Sequence, residues 1–214
     1  VIRSLAADGA ALAVLLDPRH PLAYLALHPT LALEAETGVV VDWLPLTAPT
    51  LRRPRRPGRD ADRGTLHRWH RAHAIAREIE VYGAAQGLVL REPYRDGPAD
   101  SANLGWLWMR DRHRGRLAAY LVEVFRAYWS GRLDPSDPVA VASIVEGACG
   151  DASGFLAWSK GEGPAQADEV DAAARKLGLY QVPAYVVEDE VYYGRQHLPM
   201  IRWILGGRLG APPV

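Results

Sequence analysis

Apolar and polar positions follow two different periods along this chain, and the change of period divides it. Residues 11–16, Ala-Leu-Ala-Val-Leu-Leu, are a short unbroken apolar run suited to a buried strand. Residues 39–44 are Val-rich, stop at Pro45 and predict a second strand. Near the other end, Ala184-Tyr185-Val186-Val187 reads as a strand, followed by a tight turn, another strand and a last helix. Between these ends the period is helical. Residues 66–86 bring Trp69, His73, Ala76 and Ile79 or Glu80 onto neighbouring faces. Leu117, Tyr120, Leu121, Val124, Phe125 and Tyr128 form a strong i, i+3, i+4 stripe, and residues 139–148 and 170–177 predict two further helices. No internal repeat is present. Strands at both ends with helices between predict an α/β fold.

Two prolines sharpen this outline. Asp17-Pro18-Arg19-His20-Pro21 follows the first strand and leads into a good helix former, so Pro21 stands at the first helical position of a βα junction. Pro183 directly precedes a β-branched strand. Having no N–H to donate, it belongs at the strand's start rather than inside the ladder, and a fixed Val182-Pro183 turn there is a good candidate for a cis bond.

Composition narrows the class. With 214 residues the chain can bury a substantial core as one domain or two. Its 25 basic and 25 acidic side chains balance, which argues neither for nucleic acid nor for a membrane surface. No apolar run approaches the roughly 18–20 residues that span a bilayer. The first ten residues carry Arg3 and Asp8 and lack a hydrophobic h-region, so no signal peptide is visible and a cytoplasmic setting is expected. The chain begins at Val1 rather than Met, which leaves a trimmed leader open. Cys149 is the single cysteine, so no intrachain disulfide or dithiol centre can form; its place at an apparent helix end predicts a buried, inert thiol.

Several segments then align with one family. Asp17-Pro18-Arg19-His20-Pro21-Leu22-Ala23-Tyr24-Leu25-Ala26 resembles the D-F-x-S-P-x-S-Y-L-A opening of 2-hydroxychromene-2-carboxylate isomerases and kappa-class glutathione transferases, in the DsbA-like branch of the thioredoxin superfamily. Tyr82-Gly83 with Pro93, Asn103-Leu104-Gly105-Trp106 and Val124-Phe125-Arg126-Ala127-Tyr128-Trp129 are similar to later segments of that family. Val182-Pro183 and Gly194-Arg195-Gln196-His197-Leu198 resemble its v-P-t and G-x-D-R-L elements, and the order holds from Ala11 to Leu205. The resemblance implies a thioredoxin-like core, βαβ…ββα, formed by residues 1–60 and 175–214, with an all-helical insertion over residues 61–174.

It also implies a function. The family's activity is a glutathione-dependent isomerisation or transfer on an aromatic or conjugated acid, with the thiolate at the helix N-terminus and relatives that are often homodimers. Carried over, His20 takes the place of the catalytic serine, and Val182 and Pro183 hold the peptide backbone of glutathione. Gln196 and His197 stand at its glutamyl end, where the family has Asp-Arg, and Asn103 faces the substrate. The disulfide-oxidoreductase relatives carry C-P-x-C where this chain has His20-Pro21-Leu22-Ala23, so dithiol chemistry is excluded. The alternative is a thioredoxin-fold binding module that has lost its catalytic residue.

Each candidate has a plainer reading. His20 either hydrogen-bonds a thiolate, with a charge that switches near neutral pH, or fills the space of a lost nucleophile. The arginines at 52, 53, 55, 56, 59 and 63 either clamp carboxylates or belong to a solvated, mobile surface loop; without a stacking-aromatic motif they do not point to nucleic acid. His67, His70 and His73 can pair for a metal two at a time, but the third rotates away and no carboxylate completes the set, so no metal site is expected. Asn103 is either a substrate contact or part of a helix cap near Asp100 and Ser101. Trp106, Trp108, Tyr128, Trp129 and Trp158 are expected in the core rather than on a ligand platform.

Overall fold

The structure is a computed structural model that describes residues 6–188 and 190–213. The first five residues, part of the stretch on which a signal peptide was sought, lie outside the described residues.

The apolar run becomes β1 (Leu12–Leu16), whose five residues are all fully buried. It pairs in parallel with β2 (Val41–Pro45), Leu12 opposite Val41, and antiparallel with β3 (Ala184–Val187), Leu12 opposite Val187. β4 (Glu190–Tyr193) closes the sheet antiparallel to β3, giving the order β2-β1-β3-β4. A strand paired on both sides and covered on both faces has no polar face to show. That is why β1 reads as continuous rather than alternating.

The connection from β1 to β2 is α1 (Pro21–Thr37), which opens on Pro21 and ends at Gly38 in the left-handed conformation, φ 64°. It carries Pro29 in its interior, and a proline there leaves the carbonyl four residues back without its helical donor. That carbonyl, on Leu25, accepts from the Gln86 side chain at 3.1 Å, so a side chain from the end of the next helix supplies the missing bond. Thr30 and Tyr185 join α1 to β3 through their hydroxyls at 3.0 Å.

α2 (Arg63–Ala85) starts on Asp62, whose carboxylate accepts from Thr65 N at 2.9 Å. Only Ile79 and Gly83 of this helix are buried. α3 (Asp100–Arg112), by contrast, is buried from Ser101 to Met109. It is clamped to β2: Arg110 donates to both carboxylate oxygens of buried Asp42 at 2.8 and 2.7 Å, and the Trp106 indole donates to Trp43 O at 3.0 Å. Around it pack α4 (Leu117–Trp129), α5 (Pro138–Cys149), α6 (Phe155–Lys160) and α7 (Gly163–Lys176). A 3-10 turn over Arg195–His197 leads into α8 (Leu198–Leu205), which lies against α1.

All six residues of the predicted α4 stripe are buried. Each such side chain contributes roughly 1.5–3 kcal/mol relative to exposure. The tryptophans at 106, 108, 129 and 158 and Tyr128 are buried as well, which places them in the core. Gly105 is what lets three helices meet there. A Cβ at this position would run into the Tyr120 hydroxyl, which donates to Ala102 O at 2.7 Å, and would stand 2.8 Å from Val141 Cγ1. Gly105→Ala is therefore expected to lower stability by about 1–3 kcal/mol, read as an earlier urea midpoint with an unchanged slope.

Candidate functional site

The β1–α1 loop is organised around Asp17, a carboxylate 1% exposed. It accepts from Arg19 N at 2.9 Å, Arg19 Nε at 3.0 Å, Arg19 Nη2 at 2.7 Å and Ala48 N at 2.9 Å. Arg19 then donates to Gly97 O at 2.7 Å and Ala48 O at 3.1 Å. One buried ion pair thus ties together three stretches: the loop before α1, the loop after β2 and the turn before α3. In the sequence Asp17 matches the first position of the D-F-x-S-P-x-S-Y-L-A segment, whereas Arg19 falls at its variable position and gives no signal of the pairing.

His20 follows as the residue that begins α1. Its N–H donates to Asp17 O at 3.0 Å, and its carbonyl accepts from Ala23 N and Tyr24 N at 3.0 and 3.2 Å. The side chain is 7% exposed, caps no helical N–H, and its Nδ1 is buried without a hydrogen-bond partner. Burial pushes the imidazole down from 6.5 to about 4; the Asp17 carboxylate opposes this and the Arg19 guanidinium adds to it. The side chain is neutral at physiological pH. The expectation of a charge that switches near neutrality is corrected by that burial.

The Val182–Pro183 peptide bond is cis. Both residues are buried and line a cavity of about 360 Å³ with Leu22, Glu78, Arg195 and Gln196. Pro183 O accepts from Gly194 N at 2.9 Å, whereas the N–H and C=O of Val182 have no hydrogen-bond partner among the described residues. Leu22 adds the first turn of α1, where its own N–H has no partner among the described residues and the helix dipole is positive. Arg195 was not singled out in the sequence. Its guanidinium stacks over the Tyr82 ring at 3.5 Å and pairs with Glu78 at 3.1 Å, so it joins the last β–α turn to α2 beside the cis peptide.

Gln196 lines this cavity and donates from Nε2 to Tyr193 O at 2.9 Å. His197 is not in its wall and packs against Tyr192, with ring centroids 5.5 Å apart. Asn103 stands elsewhere, in the first turn of α3 with Ala99 as the capping residue, so its side chain is not a helix cap. It lines a second cavity of about 420 Å³ with Thr47, Asp171 and Arg175, and its Oδ1 is buried without a partner. The two cavities share no wall residue, and His20 is in the wall of neither.

The remaining candidates separate cleanly. His67, His70 and His73 are exposed along α2, with Trp69 against the last two at 4.9 and 4.4 Å. Among the described residues no three His, Cys, Asp or Glu side chains converge as metal ligands. Cys149 ends α5, half-buried, its thiol donating to Val145 O. Three arginines of the 47–63 segment, Arg52, Arg53 and Arg55, line a third cavity, with Arg19 at its edge. No helix among the described residues is long and apolar enough to cross a membrane.

Comparison with known proteins agrees with this fold. A 2-hydroxychromene-2-carboxylate isomerase structure superposes with a TM-score of 0.69 at 19% identity, over 92% of this chain and 95% of that one. The cytosolic disulfide reductase DsbM from Pseudomonas aeruginosa, solved with GSH, gives a TM-score of 0.57 at 20% identity, over 92% of this chain and 98% of that one. No curated protein matches. The family description that does match, DSBA-like thioredoxin domain, spans residues 25–206, from within α1 through the helical stretch and the cis Val182–Pro183 joint to α8. The chain belongs to the DSBA-like thioredoxin domain family.

Proposed function

We propose that this protein is a glutathione-dependent isomerase or transferase acting on an aromatic or conjugated acid. The observation that carries the reading is the main chain of Val182. Its donor and acceptor are unpaired, stand beside a cis proline and line a cavity together with the first turn of α1. An extended cysteinyl peptide pairs with such a segment through its backbone, without regard to side chains. Val182 and Pro183 would hold that peptide, with Gln196 at its glutamyl end and His197 behind it. Asn103 would meet the substrate acid from its own cavity.

When bound, glutathione supplies a thiolate nucleophile that adds reversibly to an electron-poor carbon. The chain's task is to keep that sulfur ionised and dry. The unpaired N–H of the α1 first turn and the helix dipole favour an anion there. His20, neutral with a pKa of about 4, would act through an uncharged ring nitrogen and not as a cation. With Cys149 as the single thiol, the chain carries no dithiol of its own.

A second reading, a peptide-holding module without catalysis, draws on the burial of His20 outside the cavity wall. Calorimetric titration of glutathione into wild type and His20→Ala separates the two. Saturable binding that weakens about tenfold in the variant, the worth of one hydrogen bond to a charged group, is the expected result. Binding indifferent to the substitution favours the module, and no binding to wild type at millimolar glutathione overturns the cofactor assignment.

A further inference from the structure

The cavity beside Val182–Pro183 is not the largest described. One of about 1280 Å³ opens between the loop after β2, the start of α1 and the turn at residues 92–96. Its wall includes Arg19, Arg52, Arg53, Arg55 and Arg95, and none of its residues belongs to the Val182–Pro183 cavity. Arg19 is neutralised by Asp17 and is 9% exposed. Arg52, Arg53, Arg55 and Arg95 have no carboxylate within ion-pair distance among the described residues, against Glu92 and Asp96 in the same wall.

Two of these guanidinium groups rest on aromatic rings, while Arg52, Arg53 and Arg55 stay exposed to solvent. Arg95 donates to Tyr128 O at 2.7 Å and lies over the Tyr128 ring at 3.8 Å. Arg53 lies 5.4 Å from the centre of the Tyr94 ring. The loop that carries Arg52, Arg53 and Arg55 is interrupted by Pro49, Pro54 and Pro57, each of which fixes a backbone angle and lowers the entropy of ordering. Like charges gathered round one cavity repel one another unless an anion occupies it. Arginine forks match phosphate and carboxylate bidentately, which a scattered surface charge does not do.

We propose that this arginine-walled cavity binds a small molecule carrying two or more phosphate or carboxylate groups. The cavity shares no wall residue with the Val182–Pro183 cavity, whereas Thr47 and Arg175 belong both to it and to the Asn103 cavity.

Calorimetric titration of the full chain with inorganic pyrophosphate and, separately, with citrate tests it at low salt. Saturable binding of at least one is expected, weakened about tenfold or more in the Arg53→Ala/Arg55→Ala double variant and by added salt. Tighter pyrophosphate assigns a phosphorylated ligand; tighter citrate assigns a polycarboxylate. Both positions are exposed, so the variant keeps its fold. Arg77→Ala, at an exposed pair with Glu80 on α2, and His20→Ala are expected to bind pyrophosphate and citrate as wild type does. The proposal is overturned if neither anion saturates at millimolar concentration, if the double variant binds equally well, or if only a single-stranded oligonucleotide binds.

Discussion

Asp17→Ala is expected to cost about 3–5 kcal/mol of stability, the largest loss from any polar substitution in the loop before α1. The substitution leaves Arg19, 9% exposed, without its carboxylate, and strands the N–H groups of Arg19 and Ala48 that the same oxygens accept. A buried ion pair as a whole is worth little, because desolvating both charges offsets their attraction. Removing one partner is what destabilises. The double variant Asp17→Ala/Arg19→Met is accordingly expected to be more stable than Asp17→Ala alone. In urea the midpoint falls with the slope unchanged, and the melting temperature drops about 2–4 °C for each kcal/mol in a chain of this length. Arg126→Ala, which breaks an exposed pair with Glu123, serves as the reference and is expected to cost under about 1 kcal/mol. A loss that small at Asp17 would show that water reaches the pair.

His20 should make the protein acid-sensitive in a window that ordinary carboxylate titration does not fill. Its imidazole stands near 6.5 when unfolded and near 4 in the fold, because burial disfavours the charged form. Between those values the unfolded chain binds the proton and the folded chain does not, so stability rises with pH across the window and is lost as pH falls through it. Over about two and a half pH units, at about 1.4 kcal/mol each, the loss is about 3 kcal/mol. His20→Asn removes the titrating group. Its urea midpoint is expected to fall less than that of wild type between neutral pH and pH 4. Parallel curves for the two proteins would mean that the imidazole is solvated and charges freely.

The elements that were legible in the sequence are those whose burial is one-sided or whose ends are marked. The α4 stripe shows because one face of that helix meets the core and the other meets water. Pro21 and Pro183 mark the starts of α1 and β3, since neither can sit deeper in its element. The middle of the chain hid more. α3 is buried on almost every side from Ser101 to Met109, so no polar face gives it a period, and its sequence reads only as a motif around Asn103. α7 begins at Gly163, seven residues before the helical pattern becomes apparent at 170. Gly163-Pro164 has the look of a turn, although Pro164 occupies the first helical turn.

The candidate site divided for a similar reason. Gln196 and His197 are adjacent in sequence, but the 3-10 turn that carries them sends one to the cis-proline cavity and the other against Tyr192. Asn103 is carried to a different cavity by α3. Arg195, which the motif treats as a variable position, joins Tyr82 and Glu78 of α2 to the wall of the cavity.

By itself the sequence determined the strands at both ends, the proline that starts β3, the absence of a second thiol and the family resemblance that the domain match bears out. These depend on local properties: apolar period, a missing N–H, and the residue types present in order. Only the tertiary structure decided that His20 is neutral, that Asp17 and Arg19 form a buried hub, and that three arginines after β2 line a cavity. Each of those depends on burial or on partners brought from far along the chain, as Arg19 meets carbonyls 29 and 78 residues away. Desolvation and long-range pairing belong to the packed chain and leave no periodic trace in the order of its residues.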